Sequence, residues 1–193
     1  MNIQTKNSSL HFEAGLTRQM KAQIYSCDAN KIENYFIQQG INSNFKNNKI
    51  AAWCSLQCLK IIQEFNRKYN LNLGLPKGIF VEDFADLKIP DSNICAFGIT
   101  NFAPAYLYKN KNSVIPEKTI FLNSENYIWQ NLDTMSDEAF SEGLSTSDFF
   151  LENILHEFMH VVHICNMLSK IEGEKFLQNL KELQTPEYIA KFY

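Results

Sequence analysis

The sequence predicts an α+β fold, and three observations lead to that prediction. A long stretch with apolar residues at helical spacing comes first (49–69), several short apolar runs separated by turn residues follow (78–123), and an apolar stretch of helical length comes next (149–168). Helical spacing indicates helices, whereas short apolar runs between Gly, Pro, Asn and Asp indicate strands. We therefore expect a long helix, a small mixed sheet of about four short strands, a buried helix and further C-terminal helices.

The first third of the chain is predicted to be mainly helical. Residues 17–39 contain Ile32 and Phe36 near helical spacing and predict one or two helices, whereas the polar stretch 41–48 predicts a loop. In residues 49–69 apolar side chains recur at about every third or fourth position, which is typical of an amphipathic helix.

The middle of the chain predicts the sheet. Four short apolar or aromatic runs are each bounded by turn residues and read as strands: 78–84, 94–100, 104–109 and 118–123. A short helix capped by Ser124 is expected over 124–135, and a loop over 136–146.

The last part predicts helices again. Ser145 and Asp148 have the spacing of a capping box at the start of the apolar helix. A further helix is expected over 171–184, and Pro186 interrupts it before a last helical stretch. The whole chain, 1–193, is predicted to be one domain, with 1–45 as a helical N-terminal extension.

Composition excludes several classes of protein. The 193 residues are 45% hydrophobic and 13% aromatic, as in globular proteins, and 18 basic and 21 acidic residues are well mixed. No basic patch predicts a nucleic-acid partner, and no apolar run is long enough to span a membrane. The first residues lack a signal-peptide pattern, and five cysteines do not predict a disulfide framework. We expect a cytoplasmic protein, or one secreted without a cleavable signal peptide; the sequence does not indicate its oligomeric state.

Three of the four histidines lie within eight residues of the apolar helix, and two of them belong to the motif HEFMH, residues 156–160. Side chains four residues apart on a helix are neighbours, so His156 and His160 can converge on one zinc ion (Zn2+). Glu157 points in another direction and can take a proton from a water at the metal.

The flanks of the motif are so apolar that the helix is expected to be buried on nearly all sides. Buried polar groups need partners, and a metal ion is one partner that suits two histidines and a carboxylate. The alternative is a core cluster whose members satisfy one another. Glu157 and His160 also form a Glu-x-x-His pair like those of di-iron bundles, but the chain has no second copy and its strand-like middle contradicts a four-helix bundle.

The motif and the order of elements resemble those of the zincin metallopeptidases, with 49–69 as the backing helix before the sheet. The resemblance implies a zinc-dependent endopeptidase that acts on a protein or peptide. It makes His156 and His160 zinc ligands and Glu157 the general base. It also implies an edge strand that pairs with extended substrate, for which "GITNFAPAY" (98–106) and "PAYLYK" (104–109) are both candidates. A catalytically inactive zincin-like module, with a binding or toxin-associated role, is the alternative.

The third zinc ligand stays open. His163 and Asn166 stand where the metzincin pattern has Gly and His, so that branch is excluded. His163 lies about 10 Å along the helix from His156, and we expect it to support the site rather than bind the metal, as we do for Glu152.

The resemblance to gluzincins implies a glutamate on a following helix, and Glu182 has the most suitable spacing, ahead of Glu172, Glu174 and Glu187. In lethal-factor-type zincins, which the "HEF" of this motif resembles, the glutamate comes shortly after a catalytic tyrosine. Tyr188 or Tyr193 would then be the tyrosine that stabilises the transition state, and the ligand would lie beyond Tyr193.

Overall fold

The computed structural model describes residues 18–132 and 146–168. Within these ranges the chain forms four α-helices and four β-strands, and is therefore a mixed α+β protein as predicted. The helices are α1 (Arg18–Ser26), α2 (Ala29–Gln38), α3 (Lys49–Tyr69) and α4 (Thr146–Leu168). The strands are β1 (Asn42–Asn44), β2 (Gly78–Glu82), β3 (Gly98–Asn101) and β4 (Thr119–Asn123).

The four strands form one mixed sheet in the order β1-β2-β4-β3. β1 is parallel to β2 and β2 is parallel to β4, whereas β3 runs antiparallel to β4. In the described part of the chain β1 and β3 are thus the edge strands. α3 connects the parallel strands β1 and β2, which is the crossover that parallel pairing requires.

Side-chain caps define where the helices begin. The Asp28 carboxylate accepts hydrogen bonds from the backbone N–H groups of Asn30 and Lys31, which separates α2 from α1. The Asn48 side chain accepts from Ala51 N–H at the start of α3. α3 ends at Tyr69, and the next residue, Asn70, caps it in a left-handed conformation with φ of 51°. The predicted helix over 49–69 is confirmed, and 17–39 contains two helices.

Helices cover one face of the sheet and irregular segments cover the other. Alternate residues of β2 and β4 face one large core formed with α2, α3 and α4, to which Phe36, Leu59 and Phe158 belong. Phe121 of β4 points to the opposite face, where it packs in a second cluster with Phe84 and Tyr108. The described residues of 1–45 share the large core and contribute β1 to the sheet.

Three local predictions were wrong. Residues 104–109 form only isolated bridges, of Ala105 with Ile115 and of Tyr108 with Leu87. Instead of joining the sheet, this segment is anchored over its second face, where the Tyr108 hydroxyl donates to Glu82 of β2.

The other two concern 41–48 and 124–135. The polar stretch 41–48 contains β1, in which the buried Ser43 donates to the carbonyl of Glu33. Residues 124–132 contain a single 3-10 turn, Tyr127–Trp129, capped by Asn126. β3 begins at Gly98, later than the predicted start at 94.

α4 carries the HEFMH motif and packs against α3, β3 and β4. It begins at Thr146, so the predicted helix is confirmed, while Ser145 of the predicted capping box lies outside the described residues. The predicted helix over 171–184 lies outside them as well. None of the helices in the described ranges is long and apolar enough to cross a membrane.

Candidate metal centre

The middle of α4 is fixed by apolar side chains that are almost completely buried. Ile154, Phe158 and Val161 belong to the large core, so the rotation of α4 about its own axis is set by packing. In this orientation of α4, His156 and His160 are half-buried. Glu157, with 7% of its surface exposed, faces β3 of the sheet.

The ligand atoms of His156, Glu157 and His160 form a compact group. The two histidine Nε2 atoms are 2.9 Å apart, and one ligand atom of each of the three residues lies within 4.8 Å of the others. The two imidazole rings are nearly perpendicular, with centroids 4.5 Å apart. The edge of one ring thus faces the other ring, and the two Nε2 atoms converge on the same region of space.

This donor set could hold a zinc ion. The two Nε2 atoms are at hydrogen-bonding distance, and two nitrogens bound tetrahedrally to zinc at about 2.0–2.1 Å lie about 3.3 Å apart, so binding would move them apart by about 0.4 Å. Burial, followed by the neighbouring His156 and His163, lowers the pKa of His160 to about 4. His160 is therefore neutral near pH 7, which is the form that binds zinc.

Glu157 is held by the edge strand β3. The Thr100 hydroxyl donates a hydrogen bond of 2.6 Å to Glu157 Oε2. The Thr100 hydroxyl oxygen also lies 3.1 Å from the backbone carbonyl oxygen of Glu157. Burial raises the pKa of the Glu157 carboxyl to about 7, and the hydrogen bond from Thr100 opposes this shift. A carboxyl group with a pKa near the working pH suits a general base.

Alternate residues of the strand and its continuation line the site. A Cβ atom at Gly98 would lie 3.1 Å from Glu157 Cγ, so the missing side chain makes room for the glutamate. Phe102 stands edge-on to the His160 ring, with centroids 5.4 Å apart. Gly98, Thr100 and Phe102 lie in the stretch 98–106 that the sequence offered as a candidate edge strand, but none of them was predicted individually as a site residue. Their spacing of two in a predicted strand region was the available signal.

The other predicted site residues fall outside the group. His163, one turn beyond His160, is half-buried, and burial followed by the charge of His156 lowers its pKa. Among the described residues the candidate metal group contains His156, Glu157 and His160, without His163. Glu152 lies in α4, but its side chain is not described, and Glu182, Tyr188 and Tyr193 lie outside the described ranges.

Comparisons of this chain with protein-family models, with curated proteins and with solved structures found no match.

Proposed function

We propose that this protein is a zinc-dependent endopeptidase. The observation that carries the proposal is the group of two imidazoles and one buried carboxylate, with ligand atoms within 4.8 Å of one another, on a helix beside the edge of a sheet. The HEFMH spacing, the neutral state of His160 and the general-base character of Glu157 support it together.

In the proposed reaction His156 and His160 would bind the metal, and Glu157 would first accept a proton and then donate it. A bound zinc ion would act as a Lewis acid and make water a stronger acid. Glu157 would take the proton as the water oxygen attacks the peptide carbonyl carbon. It would then deliver the proton to the amine nitrogen as the C–N bond breaks.

The outer edge of β3, which pairs with no other strand in the described part of the chain, supports an extended peptide as substrate. The Phe97 carbonyl accepts from Asn123 N–H on the side of β4. Since backbone groups alternate in direction along an antiparallel strand, those of Gly98 and Thr100 point to the open side. A peptide could pair there by strand addition. We favour β3 over 104–109 because the latter does not form a strand of the sheet.

Besides the two histidines and Glu157, the described residues contribute no further member to the candidate metal group. Glu182 remains the candidate third ligand within the chain, with Tyr188 or Tyr193 as a possible transition-state stabiliser. If Glu182 is the ligand, Glu182→Ala should lower zinc affinity by at least the about 10- to 100-fold that loss of a residue supporting a metal ligand typically causes. Unchanged affinity would remove Glu182 from the site.

The test of the proposed function is Glu157→Gln. Glutamine keeps the size of the side chain but cannot accept the proton, so peptide cleavage should fall by about 10²–10⁴-fold. Zinc content, measured by mass spectrometry, should stay at the wild-type value. Cleavage of an unfolded protein substrate at the wild-type rate by this variant would refute the mechanism.

A zincin-like binding module without catalysis is the second candidate. It is favoured by one observation: beside the two histidines, the described residues place only Glu157 in the candidate metal group, so if Glu157 serves as the base they supply no third ligand. This candidate predicts that purified wild-type protein binds a peptide or protein partner but cleaves no substrate with zinc present, and that Glu157→Gln leaves partner binding unchanged.

A further inference from the structure

We propose that Thr100 is a positioning residue that orients the Glu157 carboxylate for proton transfer. This inference rests on the proposed function, because it assigns a role to Thr100 only through the general base. It starts from one contact, the 2.6 Å hydrogen bond from the Thr100 hydroxyl to Glu157 Oε2.

The contact constrains the carboxylate strongly. Both residues are buried, with 8% of Thr100 and 7% of Glu157 exposed, and a hydrogen bond to a carboxylate strengthens where water is excluded. The hydroxyl oxygen also lies 3.1 Å from the Glu157 carbonyl, so Thr100 sits between the backbone and the end of the same side chain. Since Oε2 accepts from Thr100, Oε1 is the oxygen assigned to the proton of the water.

The neighbouring strand positions are shaped around the same side chain. Gly98 lies two residues before Thr100 on the same face of β3, and the absence of its Cβ leaves the space that Glu157 Cγ fills. Thr100 and Gly98 therefore act on successive parts of one side chain, the first through a hydrogen bond and the second through packing.

Thr100 also connects the general base to the substrate edge. Its backbone groups point to the open side of β3, whereas its side chain points to α4. A peptide that pairs with β3 would bind the backbone of the residue whose hydroxyl fixes Glu157. The position of the scissile bond and the direction of the carboxylate would then be set by one residue.

A purely structural role, in which the bond only joins β3 to α4, makes a different prediction. We compare Thr100→Val, which keeps the shape but removes the hydroxyl, with Thr100→Ser, which keeps the hydroxyl. Thr100→Ala serves as a second variant without the hydroxyl if valine prevents folding. Each is measured for zinc affinity by chelator competition and for kcat and KM on a peptide substrate, beside wild type and Glu157→Gln.

The expected result is a split between these readouts. Thr100→Val should lower kcat by about 10- to 100-fold, as misplacement of a catalytic group does, while KM and zinc affinity change by less than about twofold. Thr100→Ser, which keeps the hydroxyl, should have a kcat within about threefold of wild type. An unchanged kcat in Thr100→Val and Thr100→Ala, with Glu157→Gln inactive, would overturn the role of Thr100 alone.

A double-mutant cycle in the metal-free protein provides a readout that needs no activity. Thr100→Val should raise the unfolding equilibrium constant by about tenfold in the wild-type background. In the Glu157→Leu background, where the acceptor is gone, the same change should have less than about a twofold effect. Equal effects in both backgrounds would overturn the inference. A zinc-loaded wild type that cleaves no peptide would overturn the proposed function, and the role of Thr100 with it.

Discussion

Glu157 shows how individual residues set the chemistry of the candidate site. Its position on α4 follows from the local sequence, but its orientation depends on Thr100 and Gly98, which belong to a strand far away in the chain. The hydrogen bond between Thr100 and Glu157 joins residues that are 57 positions apart. Thr100 acts on Glu157 through a hydrogen bond and Gly98 through packing, and a substitution at Gly98 tests the contribution of packing.

We expect Gly98→Ala to reduce both stability and activity. The new methyl group would lie 3.1 Å from Glu157 Cγ and 3.2 Å from the Phe121 carbonyl oxygen, and that backbone atom cannot move easily. Overpacking of this kind costs about 1–3 kcal/mol in the free energy of unfolding, which urea denaturation can measure. Displacement of Glu157 should also lower kcat by about tenfold or more.

Gly78→Ala is the matched control for this prediction. A Cβ at Gly78 would also meet close neighbours, the Phe80 side chain and the Asn42 carbonyl oxygen. Gly78 lies in β2, however, which β4 separates from β3 and the candidate site. The substitution should therefore lower stability without a comparable loss of kcat per folded molecule. Equal kcat values for the two variants would contradict the packing role of Gly98.

The sequence predicted the two histidines and the candidate base of the site but not the residues that contact them. The HEFMH spacing is local, since one turn of helix brings His156 and His160 together whatever surrounds them. The contacts of Glu157 with β3 depend on the tertiary fold, and a spacing of two within a short strand does not say which helix it faces. This is why Thr100 and Phe102 could be found only from the structure.

At the scale of elements, the success of prediction depended on length and periodicity. The 21 residues of α3 repeat their apolar pattern over several turns, so both ends agreed with the prediction. β1 has three residues, all polar, and is a strand because β2 offers it a partner. Residues 104–109 have strand-like composition, but Tyr108 is held by Glu82 on the other face of the sheet.

Asn48 offers a test of how elements are joined. Its side chain accepts from Ala51 N–H at 2.9 Å and donates to the Trp129 carbonyl at 2.9 Å, so it caps α3 and ties it to the turn after β4. We expect Asn48→Ala to lower the free energy of unfolding by about 2 kcal/mol, about 1 for the cap and about 1 for the second bond. Urea denaturation measures this loss.

Two further variants separate the contributions of the cap and the tie. Asp28→Ala removes a cap whose further side-chain contact is an exposed ion pair with Lys31 at 4.0 Å, which contributes little, so it should cost about 1 kcal/mol. Asn48→Asp keeps the acceptor but loses the donor, and it should fall between wild type and Asn48→Ala. The dual role would be refuted if Asn48→Ala cost no more than Asp28→Ala.

At the scale of the whole molecule, the candidate site lies on α4, which packs against α3, β3 and β4. Ile154, Phe158 and Val161 of α4 belong to the same core as α2 and the sheet. A ligand that binds the folded arrangement of His156 and His160, and not the unfolded chain, must stabilise this whole unit. Zinc binding and unfolding of the domain should therefore be coupled.

We expect zinc to raise the thermal unfolding temperature, with a stabilisation of about 2.7 kcal/mol at a free zinc concentration 100 times the dissociation constant. A chelator should reverse the shift, and His160→Ala should abolish it because one of two convergent nitrogens is lost. His163→Ala is the matched control, since this histidine of the same helix lies outside the candidate metal group in the described residues. As a residue expected to support the site without binding the metal, it should leave most of the shift intact. Differential scanning calorimetry with and without zinc measures all three proteins. A zinc shift that survives in His160→Ala but disappears in His163→Ala would place the metal elsewhere on α4 and refute the proposed centre.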